Sequence, residues 1–182
     1  KISGGTFACA VSSEGAISGG TFEDTVNNEG TISGGTFEGE VFNYEGTISK
    51  GTFTATVRNY NGTISGGTFT GATVNNTDAS ISGGDFQNAT VNNNSAGSIS
   101  GGDFRGATVK NVADTATITG GTFDKFTVAT VEDGGRTITI TGDIDMDSAD
   151  ALHPLTIGLD AVKSINIAAG GSFDAGNTPV SV

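Results

Sequence analysis

The chain has 182 residues, with 30 Gly, 2 Pro, 1 Cys and no Trp, and a net charge of −12. That charge argues against nucleic acid and anionic membrane surfaces as partners, and a single Cys excludes an internal disulfide. The acids gather at the two ends: residues 1–47 carry seven acids and one base, residues 48–123 four of each, and residues 124–182 nine acids and three bases.

The first element is a hexad, Ile-Ser-Gly-Gly-Thr-Phe, at Ile2–Phe7. It returns at Ile17–Phe22, Ile32–Phe37, Ile48–Phe53 (Lys50 for the first Gly), Ile64–Phe69, Ile81–Phe86, Ile99–Phe104 and Ile118–Phe123. The Ile-to-Ile spacings are 15, 15, 16, 16, 17, 18 and 19 residues. A unit this short, repeated this regularly, predicts a solenoid in which each coil buries its face on its neighbours. Burying one Ile, one Phe and one Val contributes roughly 6–8 kcal/mol, whereas ordering a coil's backbone costs roughly 15–30 kcal/mol. No coil is stable alone.

After each Phe come a small residue, then Val, then often Asn, as in Phe22…Val26-Asn27 and Phe53-Thr54-Ala55-Thr56-Val57-Arg58-Asn59. In the shorter units Phe, the small residue and Val alternate with polar residues, which reads as a strand with one buried face. Cys9, between Phe7 and Val11, is then a buried free thiol. A second, shorter strand is Thr-Ile-Ser, with Gly-Gly turning the chain between the two strands. The Asn-rich stretch before the next hexad makes the return turn. The expected fold is an all-β parallel solenoid, flattened at its N-terminal end and widening as the coils lengthen, with a core of Ile, Phe and Val ladders. Fixed units of this size argue against antiparallel hairpins in a sandwich.

Three features of this region carry candidate chemistry. Glu14, Glu29 and Glu45 each precede the Gly of a return turn, and stacking would bring like charges together. Tyr44 and Tyr60 fall at the same place in adjacent coils and form a candidate two-ring glycan platform. Thr-x-Ser pairs (Thr31/Ser33, Thr47/Ser49, Thr63/Ser65, Ser80/Ser82, Ser98/Ser100, with Thr117/Thr119 and Thr137/Thr139) form a hydroxyl row similar to the Thr-x-Thr face of solenoidal ice-binding proteins. Here, though, Ser at most second positions removes methyl groups, and Ala16 breaks the row at its start.

The period breaks after Phe126, which divides the chain into regular repeats over 1–126 and wider irregular coils or a cap over 127–182. Strands are expected at 137–146, 154–158 and 162–167, and Ala169–Phe173 echoes the hexad. Asp143, Asp145 and Asp147 share one face of a strand and form a candidate calcium site; an outward polar face that keeps the strand soluble is the plainer reading. His153 has no partner at a spacing that suggests nucleophilic or acid–base catalysis, so no enzyme activity is expected, and no cofactor other than that calcium. No apolar run long enough to span a membrane occurs. The chain opens in mid-repeat without an initiator Met, as a piece of a longer protein would.

The repeat Ile-Ser-Gly-Gly-Thr-Phe…Val-x-Asn…Gly-Thr resembles repeat-rich surface and secreted proteins of Gram-positive, often gut-dwelling, bacteria. Those proteins resemble parallel β-helices of the pectate-lyase-like superfold. The resemblance covers residues 1–126 and carries over no catalytic residue. It implies an extracellular, non-catalytic module: a stalk, a spacer or an adhesive surface for host or cell-wall glycans or proteins. A carbohydrate-binding module and an ice-binding solenoid are the alternative expectations.

Overall fold

The computed structural model describes residues 1–113 and 115–123 and, beyond them, the strands Phe126–Thr127, Arg136–Ile140, Asp143–Met146, Val162–Ile167 and Ser172–Asp174. It is an all-β parallel solenoid of about seven turns. Each coil contributes to two parallel sheets. The hexads stack into one, the Val-x-Asn segments into the other, and each sheet follows chain order coil by coil. Equivalent residues stand in register, with Phe7 beside Phe22, Phe22 beside Phe37 and Val26 beside Val41.

The hexad sheet solves a problem of parity. Ile and Phe of one hexad are five residues apart, and strict alternation would point them to opposite faces. Both are fully buried in the second to seventh coils. The Gly-Gly pair resets the alternation. The register slips at Ser, so that Ser3 pairs with Gly19 and Ser18 with Gly34, and the second Gly adopts φ between +101° and +131° in every hexad. That conformation is open to Gly and strained for other residues. The first Gly answers to space: a Cβ at Gly19, Gly34, Gly83 or Gly101 would come within 2.6–2.7 Å of the Ser carbonyl oxygen in the preceding coil. The glycines therefore do not divide the hexad into two strands in the first four coils, where Ile2–Phe7, Ala16–Phe22, Thr31–Phe37 and Thr47–Phe53 are continuous. The hexad divides only from the fifth coil, into Thr63–Ile64 and Thr68–Phe69.

The run from Phe to Val is likewise not one strand. The hexad strand ends at Phe, the chain rounds a corner, and a new strand opens at Val26–Asn28, Val41–Tyr44 or Val57–Tyr60. The small residue sits on that corner. Cys9 is consequently exposed, not buried, as is Asp24 at the same place one coil on.

Four ladders fill the core, one more than the sequence pattern indicates. The Phe rings from Phe7 to Phe104 stack with centroids 4.6–4.9 Å apart and planes within 11°. Ile and Val form two more continuous columns. The fourth is polar: Asn28, Asn43, Asn59, Asn76, Asn93 and Asn111 are buried, five of them completely. Each Nδ2 donates to the Oδ1 of the next Asn, at 2.6–2.9 Å from Asn28 through Asn111. The same amide groups donate to carbonyls of the return turn, among them Gly46 at 2.8 Å and Ala79 at 2.9 Å. A buried amide is costly unless bonded; here each coil satisfies the one beside it. The ladder has one loose end. Ser13 stands in register with Asn28, and Asn28 Oδ1 is buried without a partner.

Lengthening of the repeat goes into the two connections between sheets. Tyr44 and Tyr60 are the extra residues that make the third and fourth coils 16 long, at the end of the Val-x-Asn strand. From the fifth coil the other corner gains a residue, and Ala72, Ala89 and Ala107 enter the core at 1–2% exposure. The core thus broadens by one small side chain per coil. Beyond it the pairing remains parallel: Gly121–Phe123 pairs with Asp143–Met146, which pairs with Ser172–Asp174, and Arg136–Ile140 pairs with Val162–Ile167.

Candidate functional site

The outer face of the Val-x-Asn sheet departs from the repeat in the third and fourth coils. Inward residues there are Val41, Asn43, Val57 and Asn59. Alternation turns Phe42, Tyr44, Arg58 and Tyr60 outward, and the register sets Phe42 beside Arg58 and Tyr44 beside Tyr60. Tyr44 stacks on Tyr60 with centroids 5.6 Å apart and planes 13° apart, and on Phe42 at 5.8 Å and 15°. Coplanar rings cannot lie side by side at that distance, so these are offset stacks. The structure brings Tyr44 and Tyr60 together as a stacked pair on adjacent coils.

Arg58 completes the row. Its guanidinium lies over the Phe42 ring, 5.6 Å from the centroid, and Nε donates to Glu40 Oε1 at 2.6 Å. The Glu40 carboxylate, and after it Tyr60, push the Arg58 pKa above its ordinary value. Neither Phe42, Arg58 nor Glu40 stood out in the sequence, because none recurs. Their signal was register: Phe42 and Arg58 fall one residue after Val in consecutive coils.

A shallow cleft of about 320 Å³ opens beside Tyr44, lined by Glu29, Tyr44 and Glu45. Glu45 takes φ +57°, as Asn61, Asp78 and Ser95 do near +50° in later coils. Tyr44 is the extra residue that produces this conformation, so the turns bearing Glu29 and Glu45 are not identical.

The Thr-x-Ser face is built differently from a free hydroxyl lattice. Ser18, Ser33, Ser49, Ser65 and Ser100 each donate their hydroxyl to an Ile carbonyl of the preceding coil, at 3.1–3.5 Å. The register slip falls at this row.

Asp143 and Asp145 lie in the strand Asp143–Met146, and its pairing sets Asp145 beside Asp174. Asp147 lies outside the described residues, as do His153 and the expected strand at 154–158. Among the described residues no group of three or more His, Cys, Asp or Glu comes together to hold a metal, and no helix is long and apolar enough to cross a membrane. Arg105 and Asp103 form an exposed pair in which Nη2 approaches Oδ2 at 2.5 Å, and Arg105 holds the Asp103 carboxyl below its ordinary value.

Compared with protein-family models, with curated proteins and with solved structures, the chain matches none.

Proposed function

We propose that this chain is a non-catalytic structural module of a bacterial surface or secreted protein, acting as a stiff spacer that presents a variable outer face. The observation that carries this reading is the contrast between core and surface. Inside, Ile, Phe, Val and Asn repeat in register from coil to coil. Outside, the places that follow Val change from Asn27 to Phe42, Arg58, Asn75, Asn92 and Lys110. A fixed core beneath an unrepeated surface suits length and presentation. The likeness of the repeat to Gram-positive surface proteins supports the extracellular placement.

Stretching single molecules through Cys9 and an added R105C handle tests the spacer role. A stiff stack resists until it opens in abrupt rips, a 16-residue coil releasing about 50–60 Å of chain. Smooth, soft extension from the lowest loads would overturn the reading. A glycan array, with Tyr44→Ala and Tyr60→Ala as controls, tests the carbohydrate-binding alternative.

A further inference from the structure

The return turn between the fourth and fifth coils meets two demands at once. Its Gly has no room for a side chain: a Cβ at Gly62 would overlap Asn43 Nδ2 and come within 2.6 Å of Asn59 Oδ1 and 2.8 Å of Gly46 O. The residue before that Gly takes a positive φ, +57° at Glu45 in the third coil and +53° at Asn61 in the fourth, a conformation Asn tolerates better than most residues. The first three coils use Glu14-Gly15, Glu29-Gly30 and Glu45-Gly46 here; the fourth uses Asn61-Gly62, the only Asn-Gly pair in the chain. Asn61 is exposed and Gly62 is buried.

Asn is chemically labile, and most so before Gly, whose backbone nitrogen is the least hindered. Gly62 N attacks Asn61 Cγ. The new C–N bond forms, the Cγ–Nδ2 bond breaks, and ammonia leaves with the Gly62 proton. Water then opens the five-membered imide at either carbonyl. One product is aspartate. The other is isoaspartate, in which the main chain runs through the side-chain carbon.

The fold controls access to that reaction. With φ in the left-handed region at Asn61, the allowed ψ is about +30 to +60°, which turns Gly62 N away from Asn61 Cγ. Ring closure needs the peptide between them to turn over. That peptide is pinned: Asn61 N–H donates to Thr77 O at 3.3 Å, and Gly62 O accepts from Ser80 N–H at 3.0 Å and from the ladder amide of Asn59 at 3.3 Å. The reaction therefore waits on local opening of this turn. Asn88 is the contrast. It is exposed with φ +52°, but the residue after it is Ala89, whose Cβ crowds the attacking nitrogen.

We propose that Asn61-Gly62 is a self-modification site latched by the Asn ladder, and that its isoaspartate form unlatches the fourth coil from the fifth. Aspartate fits the turn, since Asp78 holds the same place one coil on at φ +52°. Isoaspartate adds a main-chain atom beside Gly62, where not even a Cβ fits. The inference stands independently of the spacer reading.

Ageing the full chain in mildly alkaline buffer tests it, with peptide mass spectrometry reading the gain of one dalton and an isoaspartyl methyltransferase reading isoaspartate. Asn61 should be the first Asn to react in the folded chain, with isoaspartate among its products, and should react at least tenfold faster in the chain unfolded by guanidinium. Asn59→Leu should speed it at least threefold, while Asn92→Leu should not. Asn61→Glu, which copies Glu45-Gly46, should abolish the gain at this place. The isoaspartate fraction, separated by ion exchange, should unfold at lower urea than freshly purified Asn61→Asp chain, which carries the same charge. The proposal fails if Asn88 reacts as early as Asn61, if folded and unfolded chains react at the same rate, if Asn59→Leu changes nothing, or if the two urea midpoints coincide. The comparison of folded with unfolded parent keeps the test decisive should Asn59→Leu not fold.

Discussion

Replacing Asn59 by Leu, which keeps the branched heavy-atom skeleton and removes the amide, probes the contribution of the polar ladder. Asn59 Nδ2 donates to Asn76 Oδ1 at 2.9 Å and to the carbonyls of Gly62 and Ser80 at 3.3 Å, and its Oδ1 accepts from Asn43 Nδ2 at 2.7 Å. Without it Asn76 Oδ1 loses its donor in a fully buried site, while Asn43 Nδ2 keeps Gly46 O at 2.8 Å. One orphaned buried acceptor and one half-satisfied donor cost about 2–4 kcal/mol together. The matched control is Asn92→Leu. Asn92 Nδ2 also donates to an Asn, Asn75 Oδ1 at 2.9 Å, but on the outer face, where water replaces the lost partner; its cost should stay under about 1 kcal/mol. Urea denaturation followed by circular dichroism reads both. Equal losses, or an Asn59→Leu variant within about 0.5 kcal/mol of the parent, would show that the ladder is not a source of stability.

Phe53→Ala should cost about 3–5 kcal/mol by opening the ring stack, whereas Thr54→Ala, one residue on and exposed, should cost under about 0.5 kcal/mol; the same denaturation assay compares them. Ser13→Asn should stabilise by about 1 kcal/mol, because it can offer the unpartnered Asn28 Oδ1 a donor; no gain in the urea midpoint would count against the register there. Arg105→Ala should let the Asp103 pKa rise toward 3.8, its ordinary value, in an NMR titration. The sign follows: a lowered folded pKa gives stability that is present above the unfolded value near 3.8 and is lost as pH falls through the lower folded one. The variant should therefore lose less stability than the parent on acidification through that window. Thermal hysteresis should be absent at micromolar protein, since the Ser hydroxyls of the Thr-x-Ser face are engaged with Ile carbonyls; faceted ice crystals would reverse that expectation.

The repeat made the stacking legible because recurrence of Ile, Phe and Val at one place per coil admits few folds. What it hid follows from local physics. Alternation alone misplaces Cys9, because the strand ends at Phe and the corner reverses the count that alternation assumes. The buried Asn ladder was hidden because Asn is ordinarily a turn residue; its signal was that Asn28, Asn43, Asn59, Asn76 and Asn93 stand two residues after Val in the second to sixth coils. The Tyr44 and Tyr60 pairing was visible from spacing, but the angle between the rings was not. Phe42, Arg58 and Glu40 do not recur, so only the register of neighbouring coils could bring them together.

The central claim is a parallel stack that advances one strand spacing per coil. Spin labels at Cys9 and at Thr70→Cys, Gln87→Cys or Arg105→Cys, in turn, place the second label four, five or six coils further on. Pulsed dipolar spectroscopy should give narrow distance distributions that lengthen by about 4.8 Å per coil. Distances that fail to lengthen from Thr70 to Arg105, or that alternate between short and long as an antiparallel arrangement would give, would contradict it.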